Sequence, residues 1–273
     1  MISVKTIWAI AIITFKEGLR QRVLYGVTIA SLLLILFAVL ISSLFMRDIL
    51  KVLLDICLSA VSIGGLLVPF FLSINLLAGD IEKRTIYTLL SRNISRNSYI
   101  LGKFMGLALL SGMLMALLTL STLLAAYLAS HIYPAHFFSG FSPLPMIVST
   151  LMAFLGIQVL NSAVFLWCSV TTSSFLATLL TISTYIIGHS VEDVVRFMAM
   201  QIHGVEIAIQ TQITAKLALY IFPNLAAFDL KQQAVYSLPP AFNELSLLTL
   251  YGLTYIAIML LLTSFFFKRR DLQ

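Results

Sequence analysis

Between Leu24 and Phe45 the chain runs without a single charged side chain, and it does so again at Cys57–Ala78, Phe104–Ser130, Met146–Val170 and Ser246–Phe267. Each stretch matches the ~20 apolar residues that an α-helix needs to cross a bilayer. In hydrocarbon a backbone must satisfy its own polar groups, so runs of this length specify spanning helices. A sixth run, Ser174–His189, is shorter and follows the polar cluster Thr171-Thr172-Ser173, which reads as a tight turn. The expected fold is all-α and polytopic. Six transmembrane helices follow an N-terminal interfacial elbow, both termini lie in the cytoplasm, and residues 1–273 form one membrane domain. Composition agrees: 60% of residues are hydrophobic and 10% charged, against about 25% charge in a soluble domain.

Parity supports the sixth span. With six, the cytoplasmic pieces are 1–23, 79–103, 171–173 and 268–273. They hold twelve of the 17 basic residues, among them Lys16, Arg20, Lys83, Arg84, Arg92, Arg96, Lys103, Lys268 and Arg269, against the four acids Glu17, Asp80, Glu82 and Asp271. Basic residues concentrate on the cytoplasmic side. Without the sixth span, Lys268-Arg269-Arg270 falls outside. Orientation thus accounts for the net charge of +6, and nucleic acid is not called for. Cys57 and Cys168 both sit in apolar stretches and read as small core residues.

Two cytoplasmic pieces carry more than topology requires. In 1–23, Val4, Trp8, Ala11, Phe15 and Leu19 recur at helical spacing, interrupted by Lys5, Lys16, Glu17 and Arg20. Such a helix can lie along the membrane with Trp8 at headgroup level. It reads as amphipathic rather than as a signal peptide. The loop 79–103 opens with a short helical pattern in which Ile86, Leu89 and Leu90 share a side, after Asp80 and Glu82 near the positive end of the dipole. A hairpin needs only a few residues, so the loop reads either as a docking element for a partner or as a basic topology anchor.

The order of these motifs carries a resemblance. An acidic residue, Lys83-Arg84-Thr85, Leu89-Leu90, Ser91-Arg92, Ser95-Arg96 and Leu101-Gly102-Lys103 follow one another, with Phe15-Lys16-Glu17-Gly18-Leu19-Arg20-Gln21-Arg22 before them and Phe267-Lys268-Arg269-Arg270-Asp271-Leu272 at the end. Together they resemble the permease subunits of ABC-2 type transporters over nearly the whole chain. Phe222-Pro223-Asn224-Leu225 with Phe228-Asp229-Leu230 is similar to the branch associated with multicopper-enzyme maturation, typified by the nitrous-oxide reductase accessory permease. The resemblance implies a multi-pass protein of a prokaryotic cytoplasmic (inner) membrane. It implies two copies of an ABC ATP-binding subunit, a second permease copy or a similar permease, and export as the direction. Glu82, Lys83, Arg84, Thr85, Ile86, Leu89, Leu90, Arg92 and Arg96 are then the ATPase-coupling contacts, mechanical and electrostatic in role. The competing reading is a non-transporting membrane scaffold or assembly factor.

No phosphate-binding Gly-x4-Gly-Lys-Ser/Thr loop exists in the chain, since Asn97 stands where the first glycine belongs and Phe104 follows Gly102-Lys103. The chain is therefore expected not to be an enzyme and to carry no cofactor, with ATP and Mg held by the partner subunit. His131, His136, His189 and His203 fall at or beyond the outer face with no metal spacing. Polar residues form stripes within the spans: Asn75; Gln158, Asn161 and Ser162; Thr178, Thr181 and Tyr185. They read either as a translocation path or as a helix seam, and in both cases they should point into protein. The segment 190–245 is too long for a hairpin. An exit gate, a docking site for a periplasmic partner and a packed cap all remain open for it.

Overall fold

The computed structural model describes residues 4–42, 44–45, 48–75, 95–138, 141–171, 173–199, 209–239 and 241–269. Nine α-helices occur among them: α1 Val4–Leu19, α2 Arg22–Ser42, α3 Ile49–Ser73, α4 Arg96–Ile132, α5 Pro143–Val170, α6 Ser174–Ala199, α7 Ile209–Ile221, α8 Lys231–Val235 and α9 Phe242–Arg269. Six of these (α2, α3, α4, α5, α6 and α9) are long and apolar enough to cross a membrane. The chain is an all-α polytopic membrane protein.

Three boundaries differ from the hydropathy reading by two turns or more, and the first is α3, which opens at Ile49 rather than Cys57 and takes in Lys51 and Asp55. α4 opens at Arg96, so 96–103 is the first part of a spanning helix rather than the end of a loop. Ser95 caps it, its side chain accepting from the Ser98 amide, as helix N-termini require. α6 runs on to Ala199 instead of stopping at His189. The charges of Glu192, Asp193 and Arg196 lower hydropathy without breaking a helix, and Glu192 and Arg196 bond one turn apart at 2.7 Å.

The core forms where α3, α4 and α5 meet. Leu53, Cys57, Leu110, Leu114, Leu118, Val164 and Phe165 are buried there, with Cys168 beside them. α5 is the most enclosed spanning helix, α9 the least. Along α9, Leu247, Leu250, Leu253, Ile258 and Leu261 are exposed, as suits a helix whose outer surface meets lipid.

α1 does more than lie on a surface. Its buried residues Ile10, Ala11, Thr14 and Gly18 pack along α4, while Val4 and Trp8 remain exposed. Gly102 and Gly106 on α4 create the space. A Cβ on Gly102 would stand 2.7 Å from the Ile10 Cβ, and one on Gly106 would stand 2.6 Å from the Ala11 carbonyl oxygen. Lys103, 4% exposed, approaches Glu17 of α1 at 3.7 Å.

Arg96 ties the start of α4 to the end of α9. Its guanidinium donates to the Phe267 carbonyl at 2.9 Å and the Lys268 carbonyl at 3.0 Å, where a helix presents unsatisfied oxygens. Tyr99 stacks on Phe267 beside it. This contact fixes parity. If α4, α5 and α6 each cross once, α9 ends beside the start of α4 only when the α7–α8 stretch enters and leaves from one face. Single cysteines at Gln21 and Lys268 are therefore expected to label from the same side and one at Gln232 from the other. Labelling of Gln232 with Gln21 but opposite Lys268 would mean that α7–α8 crosses, and the six-span topology would fall.

Candidate functional site

Residues 209–235 form a helical pair bent by 54° between α7 and the stretch Ala226–Val235. The bend falls at Phe222-Pro223-Asn224-Leu225. Pro223 offers no N–H and its ring excludes helical continuation from the residue before it. A break inside a bundle exposes backbone groups that need partners. Here they are supplied from α6 and α9. The Tyr255 hydroxyl donates to the Ile221 carbonyl at 2.8 Å. The Asn224 amide N–H donates to the Tyr251 hydroxyl at 2.9 Å, and the Leu225 N–H to the Gly188 carbonyl at 2.8 Å. The Asn224 side chain donates from Nδ2 to Glu192 Oε2 at 2.6 Å.

Glycines admit the segment. A Cβ on Gly188 would overlap the Pro223 carbonyl oxygen, and one on Gly156 would stand 2.9 Å from the Phe228 Cβ. On α9, a Cβ on Gly252 would stand 2.9 Å from Leu155 and 3.1 Å from the Phe228 ring. Phe228 itself is buried, held in a cluster with Val159, Leu160 and Leu225. Beyond it, Lys231 reaches α3: Nζ lies 3.1 Å from Asp55 Oδ1 and donates to Ser59 Oγ at 3.0 Å.

Beneath this bent segment lies a cleft of about 280 Å³. α3 lines one wall with Ser59, Ser62, Ile63 and Leu66, and α6 the opposite wall with Tyr185 and His189. α5 supplies a floor of Ala153, Gly156, Ile157 and Leu160; Leu225, Phe228, Asp229 and Lys231 close it from the bent segment. Tyr185 and His189, one turn apart, stack at 5.3 Å between ring centroids. The His189 Nδ1 atom is buried and has no hydrogen-bond partner.

The polar stripes divide between two settings. Gln158 and Asn161, 4% and 1% exposed, lie within the bundle. Gln158 Nε2 donates to Ser111 Oγ on α4 at 2.8 Å, Ser73 Oγ on α3 to Asn161 Oδ1 at 3.2 Å, and Asn161 Nδ2 to Gln158 Oε1 at 3.4 Å. The network joins α3, α4 and α5. Ser162 is buried and bonds back to the Val159 carbonyl; Thr178 and Thr181 do the same on α6, to Ser174 and Ala177. Of the stripe residues, only Tyr185 lines the cleft. Asn75 is exposed at the end of α3.

Of the coupling set, Glu82, Lys83, Arg84, Thr85, Ile86, Leu89, Leu90 and Arg92 lie outside the described residues. Arg96 is described and engages α9 as above. His131 packs edge-on against Tyr127, and His136 lies tilted against Phe137. Among the described residues no three His, Cys, Asp or Glu side chains come together as a metal site. Asn224, Gly156, Gly188, Gly252 and the Asp55–Lys231 pair escaped the sequence reading as site residues. The Pro223-Asn224 interruption of an apolar stretch was the available signal for Asn224. For Asp55 and Lys231, distant in the chain, nothing local marks the pairing.

Comparison with known families gives one result. The model described as ABC-2 family transporter protein matches residues 8–272. No curated protein matches the chain.

Proposed function

The chain belongs to the ABC-2 family of transporters, and from that premise we propose that it is the membrane-spanning permease of an ATP-driven exporter. The observation that carries the reading is the family match from residue 8 to residue 272, on a chain with six helices fit to cross a membrane. The chain has no phosphate-binding loop, so a separate ATP-binding subunit, present twice, binds ATP and Mg and hydrolyses the nucleotide. A second permease copy or a similar permease completes the membrane part. The assembly sits in the cytoplasmic membrane of a prokaryote, with the basic-rich ends of the helices inside. The Phe222-Pro223-Asn224-Leu225 motif supports the multicopper-enzyme maturation branch.

In this reading the ATPases dock beneath 79–95, where Glu82, Lys83, Arg84 and Arg92 are charged contacts and Ile86, Leu89 and Leu90 an apolar one. Their movement passes to α4 at Arg96 and, through the Phe267 and Lys268 carbonyls, to α9. The cleft between α3 and α6 is the outer part of the substrate path, and the 222–230 segment is its cover.

The test is co-purification. Glu82 and Arg84 would bond at the rim of an ATPase groove; a rim pair alone is worth little, while truncating one partner of a buried pair costs ~2–5 kcal/mol, and reversing both charges, Glu82→Lys with Arg84→Glu, is expected to weaken ATPase association at least about tenfold. Lys83, Arg92 and Lys103 still mark the side as cytoplasmic, so the variant should remain folded by detergent gel filtration. A folded variant that retains its ATPase at wild-type affinity removes this loop as the coupling element. A wild-type chain that co-purifies with no ATPase favours a scaffold.

A further inference from the structure

The cleft between α3 and α6 has a chemistry that selects among substrates, and the inference rests on its place in the path. We propose that it binds a single-chain amphiphile with a zwitterionic head. The floor is apolar: Ala153, Ile157 and Leu160 of α5 with Leu225 and Phe228 of the bent segment. Ile63, on the cleft wall, is 51% exposed, so the mouth opens to the outside of the bundle, where a membrane supplies acyl chains. The volume of about 280 Å³ lies at the lower edge of small-ligand sites, roughly 300–1,000 Å³. It fits a head group and the start of one chain, not two chains.

Polar groups ring one end of that apolar floor. Asp229 and Lys231 stand two residues apart with opposite charges. Lys231 directs its ammonium to Asp55 and Ser59, and an ammonium has a third N–H to give. Asp229 accepts the Lys231 backbone N–H on one oxygen at 3.2 Å, and a carboxylate can accept several bonds more. Across the cleft, the buried His189 Nδ1 is left without a partner, a state that costs free energy until something bonds to it.

With Asp55, Asp229 and Lys231 the site carries one net negative charge, which disfavours an anionic head. A purely apolar molecule gives the buried His189 Nδ1 atom no partner and leaves the Asp229 carboxylate without a counter-charge from the ligand. A zwitterion answers both signs: its cation meets Asp229, and its phosphate or carboxylate meets the remaining Lys231 donor.

The experiment uses the full chain in nanodiscs, without ATPase, and lysophosphatidylcholine bearing a photoreactive group on its acyl chain. Labelling is expected to saturate and to map to the peptides of α5 and α6. Dodecylphosphocholine should compete at least tenfold better than lauric acid, which has the same chain length and an anionic head. Ala153→Phe, which fills the cleft from a partly exposed position, should lower labelling at least tenfold with the gel-filtration profile unchanged; Asp229→Asn, which removes the partner of the cation and the net negative charge, should abolish the preference over lauric acid. Labelling spread along the exposed face of α9, equal competition by lauric acid, or full labelling of Ala153→Phe would each overturn the proposal. A second readout separates it from the path reading. Saturable labelling with no stimulation of a co-purified ATPase leaves the ligand site standing and removes the path; a stimulated ATPase with an unlabelled cleft does the reverse.

Discussion

Replacing Gly188 with leucine is expected to drive residues 222–230 out of the bundle and to reduce substrate-stimulated ATPase activity at least tenfold. Gly188 lies in the interior of α6, where a glycine costs up to about 1 kcal/mol relative to alanine. The chain tolerates that cost because the Pro223 carbonyl lies where a Cβ would be. The obstacle is backbone, so no rotamer change relieves it. Overpacking typically costs ~1–3 kcal/mol. Displacement also breaks the bond from the Leu225 N–H to the Gly188 carbonyl, and leaving a buried group unpaired costs a further ~1–3 kcal/mol. A cysteine at Ala227, half-buried in the segment, should become more reactive in the variant. Gly26→Ala is the control: no atom lies within 4 Å of the added Cβ, and its activity and stability should stay at wild-type level. If Gly188→Leu matches Gly26→Ala in activity, the close approach of α6 to Pro223 has no functional weight.

Gly106→Leu should have the second large effect, detachment of α1 from α4. The added side chain meets the Ala11 carbonyl oxygen at 2.6 Å and the Thr14 Cβ at 2.7 Å, and neither can withdraw unless α1 moves as a whole. Once α1 leaves, Lys103 also loses its approach to Glu17. The chain has two tryptophans, so in a Trp167→Phe background Trp8 alone reports on α1. Its emission is expected to shift, and trypsin should cleave at Lys16 and Arg20 faster. An unchanged spectrum and unchanged cleavage would show that α1 needs no glycine seam to hold it.

How much of this was legible follows from which forces write themselves into composition. Hydrocarbon demands about 20 apolar residues per crossing, and so each predicted span is found as a helix. Glu192, Asp193 and Arg196 hid the last turns of α6, because a hydropathy reading measures polarity while a helix end tolerates charge. On α1 the stripe Val4, Trp8, Ala11, Phe15 and Leu19 was read correctly as helical. Ala11, Phe15 and Leu19 of that stripe do meet protein, and the buried face adds Ile10, Thr14 and Gly18; Gly18 contributes the room it leaves, and room leaves no hydrophobic signal. The same holds for Gly156, Gly188 and Gly252. For Gln158 and Asn161 the residue types announced buried polarity, but only the fold could show that they bond to Ser111 and Ser73 rather than line the cleft.

The two bonds from Arg96 to the last turn of α9 have a mechanical consequence. α4 has 37 residues and, at ~1.5 Å per residue, is a rod of about 55 Å; α9 has 28 residues. The rods are pinned to each other at one tip, immediately after the segment 76–94. The start of α4 and the end of α9 are therefore joined by two hydrogen bonds and the Tyr99–Phe267 stack. Farther along α9, Gly252 rests on Leu155 and on the ring of Phe228. From that pinned tip to the residues that touch Phe228, α9 is one uninterrupted helix, Phe242–Arg269, so the cover of the cleft and the cytoplasmic end of α4 bear on the same rigid element.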